Sequence, residues 1–169
     1  TIRDIVEHLK KNEGKSFGKE TVRGKVNLNP IQTWFFDQNF KNKNYWNLPL
    51  MLNIDSGYTA EMIEKSLKAV IKHHDALHSR FTFENGVYMH EYSDEINNVE
   101  FTFVNVDDLI AADKIIRDYC IEAQKKIDIT NGIMLSAVAF KDSTNQKLFI
   151  AVHHLVSDGI SLRVIADDI

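Results

Sequence analysis

The stretch FIAVHHLVSDGISLRV, residues 149–164, decides how this chain is read. An apolar run, Leu148 to Val152, reads as a buried strand and ends in two adjacent histidines. Asp158 and Gly159 follow, and a helix pattern starts at Gly159. In a strand successive side chains point to opposite faces. His154 then continues the row Leu148, Ile150, Val152, and His153 continues Phe149, Ala151. One imidazole works and the other supports it, and strand geometry alone does not say which. Asp158 can accept a hydrogen bond from an imidazole or pair with an arginine. Gly159 permits a tight turn and an approach with no Cβ in the way. The helix start points N–H groups and a positive dipole end at the same place. Base, glycine and helix N-terminus together suit a reaction that develops negative charge.

The rest of the chain supplies the setting. At 169 residues, 44% hydrophobic and 26% charged, it has the composition of one globular domain with a real core. The net charge of −4 comes from interspersed acids and bases, and no basic patch interleaved with aromatics marks a nucleic-acid surface. One cysteine excludes an internal disulfide. No run reaches membrane-spanning length and no signal peptide leads the chain, so the expected setting is cytoplasmic, without a membrane partner. No metal is expected: strand alternation splits the imidazoles of HHxxxD, and Cys120 lies on a helix's core face.

Along the chain, residues 1–11 read as an amphipathic helix with Ile2, Ile5, Val6 and Leu9 on one stripe, and 12–25 as a linker. Both ends read as cut from something larger. The body is expected over 26–169. Asn29 caps a helix with Pro30 at its first position, and Ile31, Trp34, Phe35 and Gln38 fall on one side. WNLPLMLNI is extended. Thr59 caps a second helix with the stripe Ile63, Leu67, Val70, Ile71. Asn85-Gly86 joins two strands as a hairpin. VEFTFVNV alternates as a strand. A long helix is expected from Leu109 to Ile127, with Ala112, Ile116, Tyr119, Cys120 and Ala123 inward. Two last strands flank DSTNQ. Helices alternating with such strands predict an α/β sandwich, with helices packed on a mixed sheet. Among the other candidates, His73 and His74 end the second helix and need no function, while His8 and His90 read as surface residues. Trp34, Phe35 and Phe36 read as packing.

The motifs also carry a family resemblance. HHLVSDG resembles the HHxxxDG signature of the condensation-domain superfamily of nonribosomal peptide synthetases, whose members have the chloramphenicol acetyltransferase-like fold. LNPIQTWFF is similar to the opening motif of its epimerization domains, where Pro-Ile-Gln-x-Trp-Phe-Phe is characteristic. HHDALHSRF resembles the second motif, usually His-x-x-Leu-Arg-x-x-Phe. DGISLRV resembles the epimerization-type Asp-Gly-x-Ser-Trp-Arg, with Leu162 replacing the tryptophan. Trp46 and Asn47 resemble the family's HWN stretch, which would put them near the cleft, with core packing the simpler account. The first helix is similar to the last helix of a peptidyl carrier domain.

The resemblance implies an α/β N-terminal lobe over 26–169 in which His154 is catalytic and His153, Asp158 and Gly159 are supporting. Asp158 would pair with the arginine of the second motif. His78 stands at that position and Arg80 two residues on, on the same strand face by alternation, so either can be its partner. The implied reaction inverts the α-carbon of an aminoacyl or peptidyl thioester presented on the 4′-phosphopantetheine of a carrier domain. No cofactor would bind this chain directly. The opposing acid/base would be a glutamate of a C-terminal lobe that this chain lacks, so the fragment alone would be inactive. A condensation domain shares the histidine signature, and a silent carrier-docking module is the third alternative.

Overall fold

The apolar runs singled out above become the two central strands of the molecule. The computed structural model describes residues 22–38, 40–93, 99–106 and 112–169. Within these, β1 (Gly24–Val26) and α1 (Pro30–Asp37) are followed by β2 (Asn47–Ile54) and α2 (Ala60–His73). A single 3₁₀ turn, Asp75–His78, leads into the hairpin β3 (Ser79–Glu84) and β4 (Val87–Tyr92). Then come β5 (Glu100–Asn105), α3 (Ala112–Lys125), β6 (Leu135–Lys141), β7 (Gln146–His153) and α4 (Gly159–Asp167). The strands make two sheets, a mixed one ordered β2-β7-β6-β5 and an antiparallel one ordered β1-β4-β3. In the mixed sheet only β5 and β6 run parallel. The fold is α/β and of the chloramphenicol acetyltransferase-like type.

β6 and β7 are apolar almost throughout because both faces of their sheet are covered. On one face Leu135, Ala137, Ala139, Leu148, Ile150 and Val152 meet Ile63, Leu67, Val70 and Ile71 of α2, with Phe35 of α1 and Ile165 of α4. On the other, Val138, Phe140, Phe149 and Ala151 meet Ala123 and Ile127 at the end of α3. Pro49 sits on β2, an edge strand, where its missing N–H breaks no ladder. Phe81 carries the core into the second sheet.

The hairpin forms as its turn residues dictate. Asn85 and Gly86 both have positive φ, 51° and 84°, the combination a two-residue hairpin turn of matching twist needs. The α2 stripe is buried as expected. Several expectations are corrected. In α1 the buried residues are Gln32 and Phe35, while Ile31 and Trp34 are about half exposed. Tyr119 of α3 is exposed, not inward. The stretch read as a linker ends in β1, where Gly24 pairs with Tyr92. His90 is buried rather than a surface residue: it faces Phe81 across the hairpin, ring on ring at 4.5 Å, and hydrogen-bonds Ser79 Oγ at 2.9 Å. The helix read over 1–11, most of the linker, His8 and Leu109 lie outside the described residues.

Candidate active site

The strand ends one residue earlier than the alternation argument needs. β7 stops at His153 and His154 lies in the following turn, so the two rings are not bound to opposite faces of one strand. Their surroundings separate them instead. His153 is fully buried. Its Nδ1 accepts from the Leu155 N–H at 3.2 Å, so Nε2 carries the proton and donates to the Lys43 carbonyl at 2.8 Å. Burial pushes its pKa down to about 4, against the opposing pull of the Lys43 carbonyl. A neutral ring with both nitrogens engaged is a structural strut.

His154 is half-buried and lines an open cavity of about 360 Å³. Its backbone N–H donates to the Trp46 carbonyl at 2.8 Å, extending the β2–β7 pairing past the strand end. Its ring stacks on Trp46, centroids 4.6 Å apart, and Trp46 stacks on buried Phe35 at 4.7 Å. Nδ1 lies 2.7 Å from the Ser157 carbonyl. A carbonyl only accepts, so Nδ1 holds the proton and the lone pair of the neutral ring is on Nε2. Ring orientation and tautomer are thus both set, which is what a general base requires.

Asp158 does neither of the things its position suggested. Its Oδ1 accepts from Ile160 N–H at 3.1 Å, Ser161 N–H at 2.7 Å and Ser161 Oγ at 2.7 Å, making it the N-cap of α4. Those bonds, with Ser161 first, hold its carboxyl below the usual range. It pairs with no arginine among the described residues. The second motif is engaged elsewhere: His78 is buried, with Nε2 2.8 Å from the Ile71 carbonyl at the end of α2. His78 closes the 3₁₀ turn while Arg80 is in β3, so the two do not share a strand face. Three of the first four N–H groups of α4 (Ile160, Ser161, Leu162) are bonded to Asp158, so the helix start offers few free donors. Gly159 has no positive φ, and a Cβ there would meet nothing within 4 Å, so no tight turn requires it. The space in front of it is open.

Two supporting residues were not singled out from the sequence. Gln32 completes a reciprocal capping box with Asn29 and sends Nε2 to the Leu155 carbonyl at 3.2 Å, tying α1 to the residue after His154. The Asn-x-x-Gln spacing is its sequence signal. Ser157 supplies the carbonyl that sets the His154 tautomer, and its own Oγ donates to His153 O at 3.1 Å. His90 and Tyr92 of β4 line the same cavity as His154. Trp46 packs between the core and His154, stacked on both Phe35 and the His154 ring, and Asn47 donates its Nδ2 to the Gln124 carbonyl at 3.3 Å. Cys120 is distant in kind as well as role: burial pushes its thiol up to about 11, away from thiolate chemistry. No helix among the described residues is long and apolar enough to cross a membrane.

Comparison with known proteins gives the family. Residues 22–169 match the family profile described as Condensation domain. The chain is 37% identical over 172 residues to surfactin synthase subunit 2 of Bacillus subtilis, covering 99% of this chain and 5% of that protein. It is 32% identical to gramicidin S synthase 1 of Brevibacillus brevis, covering 100% of this chain and 15% of that protein. Among solved structures, the epimerization domain from the third module of tyrocidine synthetase B superposes with a TM-score of 0.83 at 27% identity, covering 89% of this chain and 34% of that one. The starter condensation domain of rhizomide synthetase superposes at 0.71 with 16% identity, covering 85% and 36%, a likeness of fold. The chain therefore spans about a third of each of these domains and a small part of each synthase. With its histidine signature at the end of β7 and its match over residues 22–169, the chain belongs to the condensation-domain family.

Proposed function

We infer that this chain is the N-terminal lobe of a nonribosomal peptide synthetase epimerization domain, preceded by the tail of a peptidyl carrier domain. It would invert the α-carbon of an aminoacyl or peptidyl thioester held on the carrier's 4′-phosphopantetheine. A thioester carbonyl acidifies the adjacent C–H by delocalising the carbanion. His154 Nε2 takes the α-proton or returns it. A group facing it from the C-terminal lobe, a glutamate by the family resemblance, handles the proton on the other face. The observation that carries this reading is His154 itself, a residue of the wall of an open cavity whose tautomer is fixed by the 2.7 Å bond to Ser157 O, leaving the lone pair on Nε2. Exposed Ile31 and Ile160, beside that cavity and at the start of α4, suit cover by a second lobe.

Epimerization is preferred over condensation on two grounds. PIQTWFF and DGISLR follow the epimerization pattern, and the epimerization domain superposes better and with higher identity than the starter condensation domain. The condensation reading has the family profile in its favour, and both activities use the same histidine signature.

The test uses the parent synthetase with its carrier loaded as an L-aminoacyl thioester in heavy water. Uptake of deuterium at the α-carbon is expected, and its collapse in His154→Ala. A loaded, folded protein that takes up none moves the assignment to condensation, checked by amide formation with a second loaded carrier. The isolated 169-residue chain is expected to show no epimerisation.

A further inference from the structure

The C-termini of α2 and α4 come together on the molecule's surface, away from the His154 cavity. His73 is the last residue of α2 and His74 its C-cap; Asp168 is the C-cap of α4. Neighbouring side chains on a regular helix point about 100° apart. His74 has left the helix, with φ −98° and ψ 103°, and this lets its ring come round to His73, the two rings standing edge to face at 4.9 Å. His74 Nε2 lies 2.8 Å from Asp168 Oδ2. One ligand atom from each of the three residues falls within 4.8 Å of the others.

We propose that His73, His74 and Asp168 form a site for a divalent transition-metal ion of the zinc type, clamping the end of α2 to the end of α4. Two imidazoles and a carboxylate are a donor set that suits zinc, with a fourth position for water. At bond lengths of about 2.0–2.1 Å the ligand atoms of tetrahedral zinc sit about 3.3 Å apart. The His74–Asp168 separation of 2.8 Å and the 4.8 Å limit on all three ligand atoms put the donors on the scale of one coordination shell. The field also favours a cation, because two helix C-termini present their negative dipole ends here. The site is independent of the catalytic assignment, since none of its residues lines the His154 cavity. Its consequence would reach that cavity through α4, whose N-cap is Asp158.

The test is calorimetric titration of zinc chloride into the tag-free, chelator-stripped 169-residue chain, with the visible spectrum of added cobalt reporting the geometry. One equivalent of zinc should bind and raise the thermal midpoint, because the ion binds the folded chain and not the unfolded one. His73→Ala and Asp168→Asn should each weaken binding at least about tenfold, the scale on which metal sites respond to lost ligand support. His73 is exposed, so its variant should keep its metal-free midpoint, and His154→Ala should bind zinc as the parent does. Absence of saturable binding would overturn the proposal. So would binding that survives in both ligand variants or is lost in His154→Ala.

Discussion

At the scale of single residues, two neighbouring imidazoles are given opposite chemistry by what surrounds them. His154 keeps a lone pair at a cavity wall, while His153 spends both nitrogens on the backbone of Lys43 and Leu155. The second arrangement has a consequence for stability. The unfolded histidine titrates near 6.5 and the folded one near 4. Between those values the unfolded chain binds more protons, so stability rises with pH. The contribution of the neutral His153 is fully present above about pH 6.5 and is lost as pH falls through about 4. Its whole span is roughly 3 kcal/mol. Urea unfolding from pH 7 to 4 should show this slope, and His153→Gln should flatten it. Some slope should persist, because burial also lowers the pKa of His90. An identical slope in the variant would remove His153 from the account. His90 itself shows where sequence reading stops. Nothing local in VYMHEY marks it for burial; its partners, Phe81 and Ser79, are on the opposing strand.

At the scale of elements, Asp158 separates two explanations of one motif position, a helix cap or an ion pair. The three hydrogen bonds described for its side chain converge on a single oxygen, Oδ1. Asparagine retains that oxygen and is as good an N-cap as aspartate. Asp158→Asn is therefore expected to keep the parent's unfolding midpoint, while Asp158→Ala lowers it by uncapping α4. If the charge were what mattered, both variants would fall together, and denaturation of the pair decides between the two. The elements that were legible in the sequence share a local cause. The α2 stripe and the Asn85-Gly86 turn are set by periodicity and by positive φ, both visible in a short window. The α1 stripe was misphased because the helix is apolar on more than one side. What turns Gln32 inward is a bond to Leu155, 123 residues away. The β7 end was misjudged by one residue, and that residue is the one that matters: strand alternation cannot describe a ring that sits in the turn.

At the scale of the whole molecule, His154 is the outer end of an aromatic stack that starts in the core. Phe35, fully buried, lies under Trp46 and meets His153 edge-on at 5.8 Å; Trp46 in turn supports His154. Three sequence stretches far apart in the chain, PIQTWFF, YWN and VHH, thus form one unit. The opening motif bears on the site twice, through Ile31 and Gln32 at the cavity wall and through Phe35 beneath Trp46. Trp34 is exposed at 47%, yet its ring also leans on Trp46 at 6.1 Å, so it belongs to the unit's rim. Truncating Phe35 to alanine leaves a cavity between α1, the mixed sheet and Trp46, at a cost of about 3–5 kcal/mol. Against a total of about 5–15 kcal/mol for a domain, this is a large fraction. Trp34→Ala should cost well under half as much, because its outer half is already in water. Equilibrium denaturation of the two variants measures the difference. Equal losses would place the anchor of α1 on its outer face and detach the opening motif from the His154 support. A large Phe35 effect accompanied by a changed His154 ring signal in the NMR spectrum would show the stack transmitting core packing to His154.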